Sequence, residues 1–237
     1  MKNYGVILAS GTGSRCKNDL PKQFIKIGQK TILEHTIDAF DQSAEIDSII
    51  VVITPDYRAL AEDILAKNNF KKITKLLNGG ETRKESSYIG IRSIEDAEAN
   101  VLIHDCARPF VTQEIITNCI ETLKKHDAVV AAIPSTDTIL EVENNVIKKV
   151  PKREHLKLAQ TPQCFKLSLI KKAHELSKES QDFTDDCGLI IKYNLADVHI
   201  VEGSTENIKI TYPDDIYIAE RILNMRKSSN FDDDNIK

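Results

Sequence analysis

The 237-residue sequence has no tryptophan, no excess of basic residues, no long apolar run and no paired cysteines, and most of these absences narrow what the chain can be. Its 32 basic and 36 acidic residues leave a formal net charge of −4, which argues against a general electrostatic footprint for nucleic acid. Any anionic ligand must be met by a local cluster. No stretch approaches the roughly 18 unbroken apolar residues of a spanning helix, and no basic segment followed by an apolar one opens the chain, so the cytoplasm is the expected compartment and no membrane partner is expected. The five cysteines, Cys16, Cys106, Cys119, Cys164 and Cys187, never fall in a C-x-x-C spacing, which removes the signal for a disulfide framework or a zinc site. They read as reduced thiols, with Cys106 a small buried filler. Without an internal repeat or low-complexity linker, residues 1–226 are expected to form one domain, and the polar, acidic stretch 227–237 a disordered tail.

What is present is alternation. Short runs rich in branched apolar residues at 4–9, 48–54, 72–77, 100–104 and 128–133 read as strands buried on both faces. Between them, apolar residues recur at helical spacing over 32–40, 57–66, 83–94 and 114–125. That order predicts an α/β fold, a mostly parallel sheet flanked by helices, with ligands beyond the carboxyl ends of the strands. Over 137–157 the rhythm becomes that of an antiparallel hairpin turning at Asn144-Asn145, an arm on the domain. Helices are expected near 167–176 and 185–193, a strand near 197–201, and a last helix from Pro213 to about Arg226.

The first strand opens into Leu8-Ala9-Ser10-Gly11-Thr12-Gly13-Ser14-Arg15, followed by Pro21-Lys22-Gln23-Phe24. Glycine lets a backbone approach a phosphate, and successive N–H groups in such a loop make an anion-binding concavity to which Arg15 and Lys22 add full charges. The alternative is a plain turn with two surface cations. A P-loop would need a second Gly-Lys pair that is missing, and a dinucleotide fingerprint would need glycine where Cys16 stands. An NAD(P)-binding oxidoreductase is therefore a weaker reading.

A second cluster, His104-Asp105-Cys106-Ala107-Arg108, ends a predicted strand. Asp105 there can bind Mg2+ directly or through water, with Arg108 orienting it or meeting a phosphate; the alternative is a buried Asp105–Arg108 pair that fixes the strand end. Gly79-Gly80-Glu81-Thr82-Arg83 can bring backbone groups to a base or ribose, with Ser86 or Arg83 near the ligand. Arg153, Thr161, Thr184 and Lys209 are suitable donors to a second phosphate, though Thr184 also looks like a helix cap.

In this order, the glycine loop, P-K-Q-F, G-G-E-T-R, H-D-C-A-R-P-F, Q-T-P-Q, T-D-D and E-N-I-K-I-T resemble the cytidylyltransferase family of the 2-C-methyl-D-erythritol 4-phosphate and ribitol-5-phosphate enzymes, over residues 4 to about 225. The resemblance implies a Rossmann-like domain, CTP as substrate with Mg2+, and a homodimer whose hairpins complete each other's sites. By the same carry-over, Ala9, Ser10, Gly11, Thr12, Gly13, Ser14, Gly80, Glu81, Ser86 and Cys106 would line the CTP site. Asp105, Arg108, Arg153, Thr161 and Thr184 would face a polyol phosphate, and Arg15, Lys22 and Lys209 would offset the charge of the reacting phosphates.

The acceptor signature is mixed. Leu8-Ala9-Ser10-Gly11 and the tryptophan-free Pro151-x-Arg153-x-His155-Leu156 resemble the ribitol 5-phosphate type. His104-Asp105-Cys106-Ala107-Arg108 and Val201-Glu202-Gly203-Ser204 resemble the methylerythritol type. D-ribitol 5-phosphate is the expected acceptor, with 2-C-methyl-D-erythritol 4-phosphate as the alternative.

Overall fold

The computed structural model describes residues 1–11, 20–178 and 183–234, the side chains of 229–234 excepted. The apolar runs become strands β1 (Asn3–Ala9), β4 (Ser48–Ile53), β5 (Ile73–Asn78), β6 (Asn100–Asp105), β7 (Ala128–Pro134) and β11 (Val198–Glu202). With β10 (Lys157–Lys166) they form one seven-stranded sheet in the order β11-β7-β10-β6-β1-β4-β5. Every pairing in it is parallel except those of β10, which runs antiparallel to both β6 and β7. Every residue of β4 and of β6 is buried, as expected of strands covered on both faces.

Helices supply that cover. On one face α1 (Ile32–Asp41), α2 (Arg58–Lys67), α4 (Gln113–Leu123) and α7 (Asp214–Asp234) enclose a core around Ile7, Ile49 and Val51. On the other, α3 (Arg83–Arg92), α5 (Leu167–Leu176) and α6 (Asp186–Lys192) pack over Val6, Leu8 and Ile50. Successive residues of β1 and of β4 thus point into opposite cores, each fully buried aliphatic side chain contributing about 1.5–3 kcal/mol. Capping boxes fix two helix starts: Thr31 with Glu34 on α1, and Thr82 with Glu85 on α3. Two short strands, β2 (Lys26–Ile27) and β3 (Lys30–Thr31), form a hairpin before α1.

The expected arm contains a hairpin of β8 (Glu141–Glu143) and β9 (Val146–Lys149), separate from the main sheet and exposed throughout. Asn144 and Asn145 both take positive φ, 51° and 62°, which suits a tight two-residue turn. One strand goes beyond the sequence reading, and one helix end differs from it. The stretch 157–166, which contains Pro162 and alternates poorly, is a strand of the main sheet. The last helix, expected to end at about Arg226, runs as α7 to Asp234, and 214–234 contains neither glycine nor proline to end it sooner. Residues 235–237 lie outside the described residues.

From β1 the chain builds outwards through β4 and β5, then returns to β6 on the other side of β1. The order reverses between β1 and β6, and ligand sites in open α/β sheets form beyond the carboxyl ends of strands at such a point.

Candidate active site

A cleft of about 380 Å³ opens at that reversal. The end of β1 contributes Ala9, Ser10 and Gly11; the loop into α3 contributes Gly80 and Glu81, and the helix its first residue, Arg83; the end of β6 contributes Asp105 and Cys106; Lys22 enters from a short 3-10 turn and Lys209 from a loop. Ten residues singled out in the sequence are therefore brought together. Thr12, Gly13, Ser14 and Arg15 lie outside the described residues.

Two loops meet closely here. A Cβ on Gly79 would stand 2.5 Å from that of Ser10, so only glycine lets the β5–α3 loop lie against the end of β1. Ser10 Oγ donates to Ser86 Oγ at 2.7 Å, and Ser86 Oγ also accepts from the Gly80 N–H at 3.1 Å. Ser86 is fully buried, below the cleft floor. Gln23, also buried, donates to the Ala9 carbonyl at 2.7 Å and ties the P-K-Q-F turn to the glycine loop.

Asp105 carries the strongest electrostatics. Arg83 Nε donates to its Oδ1 at 3.1 Å and Lys209 Nζ to its Oδ2 at 2.7 Å. Burial opposes its ionisation, yet Arg83 and Lys209 hold the carboxyl well below the usual carboxylate range. The Asp105–Arg108 ion pair of the alternative reading is not formed. The turn after β6, closed by the Arg108 N–H on the Asp105 carbonyl, carries the guanidinium away to the carbonyls of Asn207 (2.7 Å) and Ala159 (3.3 Å). Arg108 thereby braces the segment bearing Lys209. Lys22 Nζ reaches the same segment, donating to the Ile210 carbonyl at 3.0 Å.

Beneath Asp105, His104 is completely buried, and burial lowers its pKa to about 4 despite a hydrogen bond to the Arg108 carbonyl. It is neutral at neutral pH. With its Nε2–H donating to that carbonyl at 3.0 Å, its Nδ1 accepts from the Thr161 hydroxyl at 2.9 Å, and that hydroxyl accepts from the Asp105 N–H at 3.1 Å. Thr161 thus has its hydroxyl turned inwards. Burial pushes the Cys106 thiol up to about 12, so it is no thiolate at neutral pH.

The remaining expected donors sit apart from the cleft. Arg153 is exposed near the foot of the hairpin, its Nη2 donating to Thr138 at 3.2 Å. Thr184 is exposed, and the cap of α6 is its neighbour Asp185, which accepts from the Gly188 N–H. Asp186, which the sequence offered only as part of T-D-D, is 1% exposed and pairs with Arg83 Nη1 at 2.7 Å. No local pattern marks that pair, because its members are far apart in sequence.

The chain can be set beside known proteins. A family model described as IspD, 2-C-methyl-D-erythritol 4-phosphate cytidylyltransferase, matches residues 4–225. A bifunctional ribulose 5-phosphate reductase/CDP-ribitol pyrophosphorylase from Haemophilus influenzae is 42% identical over 95% of this chain, which spans 49% of that protein. The 2-C-methyl-D-erythritol 4-phosphate cytidylyltransferase of Clostridioides difficile is also 42% identical, over 94% of each chain. Among solved structures, 4-diphosphocytidyl-2C-methyl-D-erythritol synthase from Anaerococcus prevotii superposes with a TM-score of 0.83 at 32% identity, covering 94% of this chain and 96% of its own.

Proposed function

Since the chain belongs to the IspD family and is a CTP-dependent cytidylyltransferase, we propose that it transfers CMP from CTP to D-ribitol 5-phosphate, releasing pyrophosphate. One observation carries the transfer chemistry: Lys22, Arg83 and Lys209 converge on one cleft with the Gly80 backbone, and among the described residues no activated nucleophile stands with them. His104 has both ring nitrogens engaged, and Cys106 is a buried thiol.

None is required. The acceptor phosphate is already an oxyanion near neutral pH. One of its oxygens attacks the α-phosphorus of CTP in line; the new P–O bond forms as the bond from that phosphorus to the bridging oxygen breaks, and the electron pair leaves with pyrophosphate. The barrier lies in bringing anions together, and Lys22 and Lys209 offset that repulsion while backbone N–H groups orient the triphosphate. Residues 9–11, 80 and 81 would hold CTP, and Arg15, outside the described residues, would add its charge to the triphosphate.

The donor set suits Mg2+. Among the described residues no three potential ligands cluster, but Asp105 offers one carboxylate at the cleft, and Mg2+ is commonly held by one or two carboxylates with substrate phosphates and water. Asp105 would hold the ion directly or through water, and when bound it would neutralise phosphate charge.

For the acceptor, the segment Pro151-x-Arg153-x-His155-Leu156 and the CDP-ribitol relative support ribitol 5-phosphate. The second reading, 2-C-methyl-D-erythritol 4-phosphate, is favoured by the family model and the C. difficile relative. Arg153 lies outside the cleft of its own chain, which supports a homodimer in which Arg153 of the partner subunit reaches the acceptor. The test is pyrophosphate release with CTP, Mg2+ and each alditol phosphate in turn. Faster turnover of the methylerythritol phosphate would replace the first reading by the second, and no release with either would overturn both.

A further inference from the structure

Asp105 is held by a residue that is itself held. Arg83 Nε donates to Asp105 Oδ1 at 3.1 Å while its Nη1 donates to Asp186 Oδ2 at 2.7 Å, so one guanidinium bridges two buried carboxylates. The second carboxylate is fixed from behind. Its Oδ1 accepts from Ser87 Oγ at 2.6 Å and from His174 Nε2 at 3.1 Å, and the His174 ring is stacked on Tyr88 at 5.2 Å. At 1% exposure Asp186 cannot touch a ligand in the cleft.

We infer that Asp186 is a positioning residue for cytidylyl transfer, acting through Arg83 to set where Asp105, and with it Lys209, stands in the cleft. This rests on the transfer reading above. A carboxylate buried merely to start a helix would be superfluous here, because Asp185 already caps α6. The division of labour between the two oxygens is informative. Oδ1 takes donors from Ser87 on α3 and His174 on α5, whereas Oδ2 faces the guanidinium. Two carboxylates, one guanidinium and one ammonium balance in charge, and an unmatched member of such a buried set is costly. If Oδ2 ceased to accept, Nη1 would lose its anchor and Arg83 could turn both arms towards Asp105, competing with Lys209 for Oδ2. Displacement of a phosphate-facing group by about 1 Å is enough to slow a positioned reaction by roughly a hundredfold.

Asp186→Asn isolates this contact. The amide oxygen can keep the Ser87 and His174 bonds, while the NH2 group presents a donor to the Arg83 donor. Wild type, Asp186→Asn, Arg83→Lys and the double variant are compared for kcat, KM for CTP and thermal midpoint. Expected are a fall of at least tenfold in kcat for Asp186→Asn with KM for CTP within threefold, and a double variant no more than twofold slower than Arg83→Lys alone, because both substitutions break one tether. Unchanged kcat, or effects that multiply in the double variant, would overturn the inference. If Asp186→Asn is insoluble, Ser87→Ala, which loosens the same carboxylate without changing charge, must lower kcat at least threefold, and an unchanged kcat overturns it too. A readout independent of turnover is proton exchange at Arg83 Nε by 15N NMR. It should quicken at least tenfold in Asp186→Asn, or in Ser87→Ala if that variant must be used, and an unaltered rate would sink the tether. An inactive wild-type enzyme would instead count against the transfer reading, leaving exchange to decide the tether.

Discussion

Lys209 Nζ lies 2.7 Å from Asp105 Oδ2, so the cation assigned to the reacting phosphates rests, in the free protein, on the carboxylate assigned to Mg2+. The same carboxylate keeps Arg83, so it does not become an unpaired buried charge if Lys209 is lost. Lys209→Ala should therefore lower kcat by about 10²–10³ with little change in thermal midpoint, the range seen when one donor to developing charge is removed. Steady-state kinetics beside a melting curve would check it, and a large drop in the midpoint with kcat preserved would contradict it.

His104 makes stability depend on pH above the carboxylate range. Its pKa falls from 6.5 to about 4 on folding, chiefly through burial. A group with a depressed native pKa stabilises fully above its unfolded pKa, and that contribution is lost as pH drops through the interval to the native value. The interval corresponds to roughly 3 kcal/mol. Urea midpoints should fall between pH 6.5 and 4, and His104→Gln should flatten that segment of the profile. Below it, Asp186, held at about 2 against burial by Arg83 and His174, adds a further acid-labile contribution.

Gly90 sets how closely α3 approaches the sheet. A Cβ there would stand 2.5 Å from Val6 Cγ1 and 3.2 Å from Val52 Cγ2. Gly90→Ala should cost about 1–3 kcal/mol through overpacking, despite alanine's better helix propensity. Because α3 carries Arg83 at its first turn, activity should fall as well; a variant as stable as wild type would refute the packing argument.

The hairpin exposes Val142, Val146 and Ile147, each more than half accessible, on a two-stranded sheet with no core of its own. If it pairs two copies, the Val142→Lys/Ile147→Lys double variant should sediment as a monomer and lose turnover while keeping its circular dichroism. A monomeric wild type would remove the basis for this prediction.

The alternation of strands and helices was legible because β4 and β6 are buried on both faces and so read as continuous apolar runs, and helix α5 falls on its predicted residues. Strand β10 was not. Its first three residues are exposed, its middle contains Pro162, and its place between β6 and β7 is a tertiary fact. The site was legible as motifs but not as pairs. Arg108 is three residues from Asp105 and looked like its partner, yet the intervening turn sends it to Asn207. Arg83 and Lys209, from distant segments, took its place. Thr184 looked like a cap because threonine often is one, but Asp185, one residue on, accepts from Gly188.

Strand β10 follows the hairpin after a short helical turn at Arg153–His155 and reaches Asp105 through Thr161, so arm and reaction centre share one continuous piece of chain. Its register against β7 slips between Ala159 and Gln163. Thr161 lies within that slipped stretch, so the hydroxyl that meets the Asp105 N–H is presented from outside the regular ladder. A bulge that breaks the ladder is thus also what turns a strand residue towards the end of β6.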